Sequence, residues 1–294
     1  LYLTGAKGPV RDALRRSGLA GMMGERATCP NLRVALTHYE GFIAEKSPKE
    51  TRFCDGHHQM ERGGPLILKR KVKAPKSNRI MKVEQLYTKC LAEATYYIES
   101  AGSAVLIDPL RETQVYLDKL AREGAQLQYI FETHFHADFV SGHLDLARKT
   151  GAQIVYGPLA QADYDFYSAT DGEILPLGDV SFKVLHTPGH TMESTTFLLR
   201  DATGRDHAIF TGDTLFLGDV GRPALAVQAD RVTEEDLARL LYHSLHDKII
   251  PLADELLVYP CHGAGAACGK NLSSETWGRL GTQKAQIYAL RADM

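Results

Sequence analysis

No stretch of this chain runs to more than a few consecutive apolar residues. A membrane-spanning helix needs roughly 20, so none is expected. No charge of one sign dominates: 34 Lys and Arg stand against 36 Asp and Glu, a formal net of −2. The global field that would hold nucleic acid or an anionic membrane is missing. Cysteine is sparse and odd in number. Cys29, Cys54, Cys90, Cys261 and Cys268 are scattered, which argues against a disulfide framework and for a reducing compartment. The first residues, LYLTGAKGPVRD, lack the apolar core of a secretory signal, and a cytoplasmic location is expected. With 44% hydrophobic and 24% charged residues, the composition excludes wholesale disorder and fibrous structure. What the chain does have is histidine, twelve in all, several beside Asp in Gly-rich or Thr-rich turns.

Residues 72–81 (VKAPKSNRIM) are basic, contain Pro75 and Ser77, and read as a linker. Before them lie a short helical pattern around Val10 and Leu14 and two Gly-rich or Pro-rich stretches, too little for a self-sufficient core. We divide the chain into an N-terminal extension, 1–80, and a domain over 81–294. The cluster CDGHH (54–58) gathers Cys54, His57 and His58, but adjacent His side chains in a short loop do not readily share one ion.

From residue 82 the pattern sharpens. Residues 94–99 (ATYYIE) and 103–108 (SAVLID) read as strands of a hairpin around Gly102. Residues 113–123 read as a helix stopped by Gly124, and 127–131 (LQYIF) as a buried strand. A second helix is expected over 140–149, stopped by Gly151, and a strand over 153–156. Strand–helix–strand within about thirty residues is a βαβ unit, which implies parallel pairing. Further strands are expected near Ile174 and over 181–186, 194–199, 208–211 and 256–259, with a helix over 234–246 capped by Thr233. The order gives an α/β sandwich, two sheets inside and helices outside.

Four turns carry metal-type donors, and each follows a strand. THFHADFVSGH (133–143) places His134, His136 and Asp138 after the strand 127–131. HTPGH places His190 after 181–186, FTGD places Asp213 after 208–211, and PCHG places His262 after 256–259. Sites of open α/β sheets lie at such carboxyl ends. One such turn means little; four together point to a metal site.

These motifs resemble the metallo-β-lactamase superfamily: H-x-H-x-D at 134–138, TPGHT at 187–191, TGDTLF at 211–216 and PCHG at 260–263. The resemblance covers about residues 82–294 and implies a four-layer αββα sandwich with metal at its edge and a short N-terminal extension. Two-metal members such as glyoxalase II carry H-x-H-x-D-H, but here Phe139 occupies the last place and has no lone pair to give. A second ion would be left with Asp138, His262 and a bridge from Asp213, so one metal is favoured. The mononuclear arrangement resembles the persulfide dioxygenases, whose ligands fall on His134, His190 and Asp213. Two His and one carboxylate suit Fe(II) and leave open positions, which O2 and a persulfide sulfur would need.

What that resemblance implies is one Fe(II) per chain and oxidation of a low-molecular-weight persulfide, such as glutathione persulfide, to sulfite and the free thiol. The alternative is a zinc-dependent thioester hydrolase of the glyoxalase II type. His136 and Asp138 are expected to orient the ligands or metal-bound water, and His262 to hydrogen-bond species at the metal. GDVGRPAL (218–225) resembles the arginine-bearing loop of these dioxygenases, with Arg222 either on the substrate or in a structural salt bridge. Residues 260–284 resemble the bacterial, rhodanese-linked branch. Cys268 is a candidate for sulfur exchange or an inert thiol; Lys270, Asn271 and Thr191 are candidate substrate contacts. A homo-oligomer and a rhodanese or sulfur-transport partner fit the same resemblance. Residues 4–21 resemble the end of a STAS domain, the cytoplasmic module of sulfate transporters.

Overall fold

The computed structural model describes residues 81–223, 232–266, 268–269 and 272–292, with the backbone of two short strands near the N-terminus. The chain divides into two compact units, Leu1–Val72 and Lys73–Met294. In the first, β1 (Leu3–Thr4) pairs in parallel with β2 (Thr28–Cys29). The remainder of the STAS-like stretch and the CDGHH cluster lie outside the described residues, as do Lys270 and Asn271.

The second unit is built on two six-stranded mixed sheets. One has the order β3-β4-β5-β6-β7-β8, formed by Lys82–Thr88, Glu93–Ser100, Ser103–Ile107, Gln126–Phe131, Gln153–Tyr156 and Tyr167–Ser168. The other has the order β14-β13-β12-β11-β10-β9. Its strands, in chain order from β9, are Ile174–Leu177, Val180–His186, Thr195–Arg200, Asp206–Gly212, Leu257–Pro260 and Gly278–Arg279. Helices α1 (Gln114–Glu123) and α2 (His143–Thr150) accompany the first sheet. Helix α3 (Glu234–His243) continues as a π-helical segment, Ser244–Ile249, and joins α4 (Leu280–Gln286) at the second.

Side-chain alternation assigns the layers. On β5, Val105 and Ile107 enter the cluster between the sheets with Phe131, Phe182, Phe197 and Phe210, while Ala104 and Leu106 face the other way, toward Tyr116 and Leu120 of α1. Both faces of this strand are covered, which is why it reads as one apolar run. On the far side, Leu198, Ile209 and Val258 pack against Leu241, Leu245 and Leu280. The result is the αββα sandwich expected from the sequence.

Local chemistry sets most boundaries. Gly124 and Gly151 close α1 and α2 at φ of 65° and 75°, the left-handed region that glycine enters at no steric cost. Thr233 caps α3 in a reciprocal box with Asp236. Helix α2 starts at His143, later than expected from the sequence, because residues 140–142 form a turn: the Gly142 N–H donates to the Pro109 carbonyl at 2.8 Å, and Ser141 Oγ accepts from the His143 N–H. Strands β3, β8 and β14 and helix α4 were not expected. No described helix is long and apolar enough to cross a membrane.

Candidate metal centre

Five strands deliver donors to one edge. In the first sheet β5 and β6 run parallel, so Asp108 and the turn beginning at Thr133 leave it together. In the second, β12 and β13 run parallel, and β10 shares the direction of β12 because β11 is antiparallel to both. His190, Asp213 and His262 therefore leave that sheet at one end. The Thr195 N–H donates to the Thr133 carbonyl at 2.8 Å and ties the two edges.

His134, His190 and Asp213 meet there, all buried, with their donor atoms within 4.8 Å of one another. Asp213 Oδ2 lies 3.8 Å from His134 Nε2 and 3.4 Å from His190 Nε2. Each imidazole is held from behind. His190 Nδ1 is 3.0 Å from the Arg222 carbonyl, which only accepts, so Nδ1 carries the proton and Nε2 is bare. His134 Nδ1 is 2.9 Å from the Thr133 hydroxyl, which donates its one proton to Asp108 Oδ2 at 2.8 Å; His134 Nε2 is bare as well. Burial and the neighbouring His136 charge push the His134 pKa down to about 3, keeping the ring neutral. Burial alone would raise Asp213, but His262, by charge and hydrogen bond, holds it well below the usual carboxylate range.

Asp213 Oδ2 has no hydrogen-bond partner. Two ring nitrogens and a carboxylate oxygen without a hydrogen-bond partner thus face each other in a buried space. Such an arrangement costs free energy unless a cation sits among them. Metal bonds of about 2.0–2.2 Å put neighbouring donors roughly 3–3.6 Å apart; the 3.4 Å pair lies within that range and the 3.8 Å pair just beyond it, so a small inward shift of the side chains would seat one ion. The residues present suit a divalent metal.

The other predicted residues surround this triad. His262 Nδ1 contacts Asp213 Oδ1 at 2.7 Å and its Nε2 lies 2.9 Å from Asp138 Oδ2. Burial opposes charge on His262, but the two carboxylates outweigh it and raise its pKa to about 10. His136 turns to Asp108, 3.1 Å from Oδ1, with Glu132 at 3.6 Å. Phe139 stacks on the His136 ring, centroids 4.1 Å apart. Cys268 lies with Asp138 and His262 in a second group of donors. Burial, followed by the Asp213 charge, pushes its thiol up, so it rests as a thiol rather than the thiolate that sulfur exchange requires. Arg222 donates weakly from one guanidinium nitrogen to the Gly269 carbonyl at 3.4 Å, and its buried Nε has no partner. Thr191 Oγ1 is 2.8 Å from Ser194 Oγ.

Sequence reasoning missed Asp108, Thr133, Glu132 and Glu93. Asp108 has one local signature, a positive φ of 51° at a strand end, and even that is visible only in the structure. Glu93 is fully buried with Oε2 unpartnered. Burial, with the Asp108 charge adding, raises its pKa from 4.5 to about 8. The folded state therefore binds this proton more tightly than the unfolded chain, and the stability it confers is lost as pH rises from about 4.5 to 8. In metal-free protein, Glu93→Gln is expected to lose roughly 1–3 kcal/mol less than wild type between pH 5 and pH 8 in urea unfolding. Identical slopes would contradict the assignment.

The profile of the metallo-β-lactamase superfamily matches residues 88–262. The chain is 34% identical over 185 residues to human mitochondrial persulfide dioxygenase ETHE1, covering 61% of this chain and 67% of that protein. It is 33% identical over 172 residues to the hydroxyacylglutathione hydrolase of Tolumonas auensis, covering 57% and 60%. The crystal structure of ETHE1 from Myxococcus xanthus superposes with a TM-score of 0.59 at 30% identity, over 70% of this chain and 83% of that one. The match to the superfamily profile, the αββα sandwich and the donors at its edge lead to one conclusion: this chain is an enzyme of the metallo-β-lactamase superfamily.

Proposed function

We propose that this chain is a mononuclear Fe(II) persulfide dioxygenase that converts a low-molecular-weight persulfide, O2 and water into sulfite and the free thiol. The observation that carries the reading is the triad of His134 Nε2, His190 Nε2 and Asp213 Oδ2, which face one another and leave Oδ2 without a hydrogen-bond partner. Two His and one carboxylate on one face are the donor set of non-haem Fe(II) oxygenases. Iron held there would supply activation of O2 and a position for a soft sulfur. Similarity to the human persulfide dioxygenase ETHE1, and to ETHE1 from Myxococcus xanthus, supports the choice of reaction.

The protein's part is to hold and orient. The Arg222 carbonyl and the Thr133 hydroxyl fix the two imidazoles. His262 occupies Asp213 Oδ1 and leaves Oδ2 as the donor. Arg222 brings a cation beside Cys268 and Gly269, which suits an anionic persulfide at the metal. A persulfide is largely ionised near neutral pH, so the reaction needs no strong general base.

The similarity to a hydroxyacylglutathione hydrolase favours a second reading, a zinc thioester hydrolase. Against it, Phe139 stacks on His136 where a two-metal site would place a donor. An oxygen electrode decides between them on anaerobically purified protein. The dioxygenase consumes one O2 per persulfide, releases sulfite and carries one iron per chain. Hydrolysis of a glutathione thioester by a two-zinc protein, without oxygen uptake, would overturn the proposal.

A further inference from the structure

The two imidazoles facing Asp213 are backed by groups of different character. Behind His190 stands a neutral backbone carbonyl. Behind His134 stands a hydroxyl, and behind the hydroxyl a buried carboxylate. Counting protons fixes the direction of this second chain: the Thr133 hydroxyl has one to give, ionised Asp108 has none, and so the hydroxyl donates to Asp108 and accepts from His134. Thr133 is held firmly for the task. Its N–H donates to Asp108 Oδ1 at 2.7 Å, and its carbonyl accepts from the Thr195 N–H at 2.8 Å. Strand β12, which ends at the residue before Asp213, packs directly on it: a Cβ at Gly212 would stand 2.5 Å from Thr133 Oγ1.

We propose that Thr133 is a positioning residue that couples the Asp108 carboxylate to His134 and locks Nε2 as its lone-pair nitrogen. A metal-ligating His that donates its other ring N–H is fixed in tautomer and in ring orientation. In a dry interior the links of such a chain strengthen one another. Asp108 also serves His136, so replacing Asp108 would disturb two rings at once, and Thr133 is the cleaner probe. The inference concerns the donors themselves. It applies to iron and zinc alike and stands whether or not the persulfide reading does.

Two measurements test it. In metal-free wild-type protein labelled with 15N at histidine, NMR at neutral pH is expected to show His134 as the Nδ1–H tautomer. The Nε2–H tautomer would overturn the proposal, and this result requires no variant to fold. The second compares Thr133→Val, which keeps the shape and removes the hydroxyl, with Thr133→Ser, which keeps the hydroxyl. By anaerobic chelator competition, Thr133→Val should bind both Fe(II) and Zn(II) about 10–100-fold more weakly, and Thr133→Ser within about threefold of wild type. Wild-type affinity in Thr133→Val, or equal losses in both variants, would show that the hydroxyl relays nothing.

Discussion

Asp213→Ala is expected to purify without bound metal and to show no turnover above background. Three contacts meet at this carboxylate. Oδ2 lies between His134 Nε2 and His190 Nε2, and Oδ1 takes His262 Nδ1. Alanine removes the anionic donor of the triad, and two imidazoles are left. The loss of affinity should exceed the roughly 10–100-fold that follows when only a ligand's hydrogen-bond partner is removed. It should also erase the rise in melting temperature that metal confers on the wild type, because a ligand stabilises only the state that binds it. Metal analysis and thermal unfolding with and without added Fe(II) read both effects. A variant that keeps full metal and activity would show that other residues hold the ion.

Gly221→Ala should do comparable damage with a single methyl group. A Cβ at this position would lie 1.9 Å from the Asp213 carbonyl oxygen and 3.1 Å from the Cβ of His190. The first of these is backbone, so no side-chain rotation relieves the clash. The turn between residues 213 and 221 must open, carrying one ligand away and pressing on another. The expected cost is about 1–3 kcal/mol of stability or more, with at least a tenfold loss of metal affinity. Gly204→Ala is the control. Its φ is +80° with nothing within 4 Å, so it should cost on the order of 1 kcal/mol in backbone strain and leave metal binding unchanged. Urea unfolding and chelator competition, run on both variants, separate the effects. Equal behaviour of the two would contradict the packing argument.

Much of the architecture is legible in the sequence because it is written locally. The glycines that stop α1 and α2, the Thr233 cap and the alternation of Val180, Phe182 and Val184 along β10 each act within a few residues. Donor-bearing turns after strands are legible for the same reason. The strands and helix that escaped notice lack such signals. Along β3 every residue is half-buried, so no face of KVEQLYT stands out, and β14 is a two-residue pairing fixed by β13.

The division of labour within the site was hidden for a different reason. Spacing alone makes His134 and His136 equivalent; only the meeting of two sheets shows that one faces Asp213 and the other Asp108 and Glu132. Asp108 itself closes an apolar run and announces nothing. Its function depends on Thr133, 25 residues away, arriving from the neighbouring parallel strand. Arg222 drew attention for its side chain, yet its clearest contact with the triad is its backbone carbonyl, which any residue would supply.

Anomalous diffraction at the iron edge, from crystals of protein loaded with Fe(II) under anaerobic conditions, would reveal the metal position directly. The account predicts a single peak per chain, about 2.0–2.2 Å from His134 Nε2, His190 Nε2 and Asp213 Oδ2. A peak seated instead between Asp138 and His262, or two peaks of similar height, would contradict it.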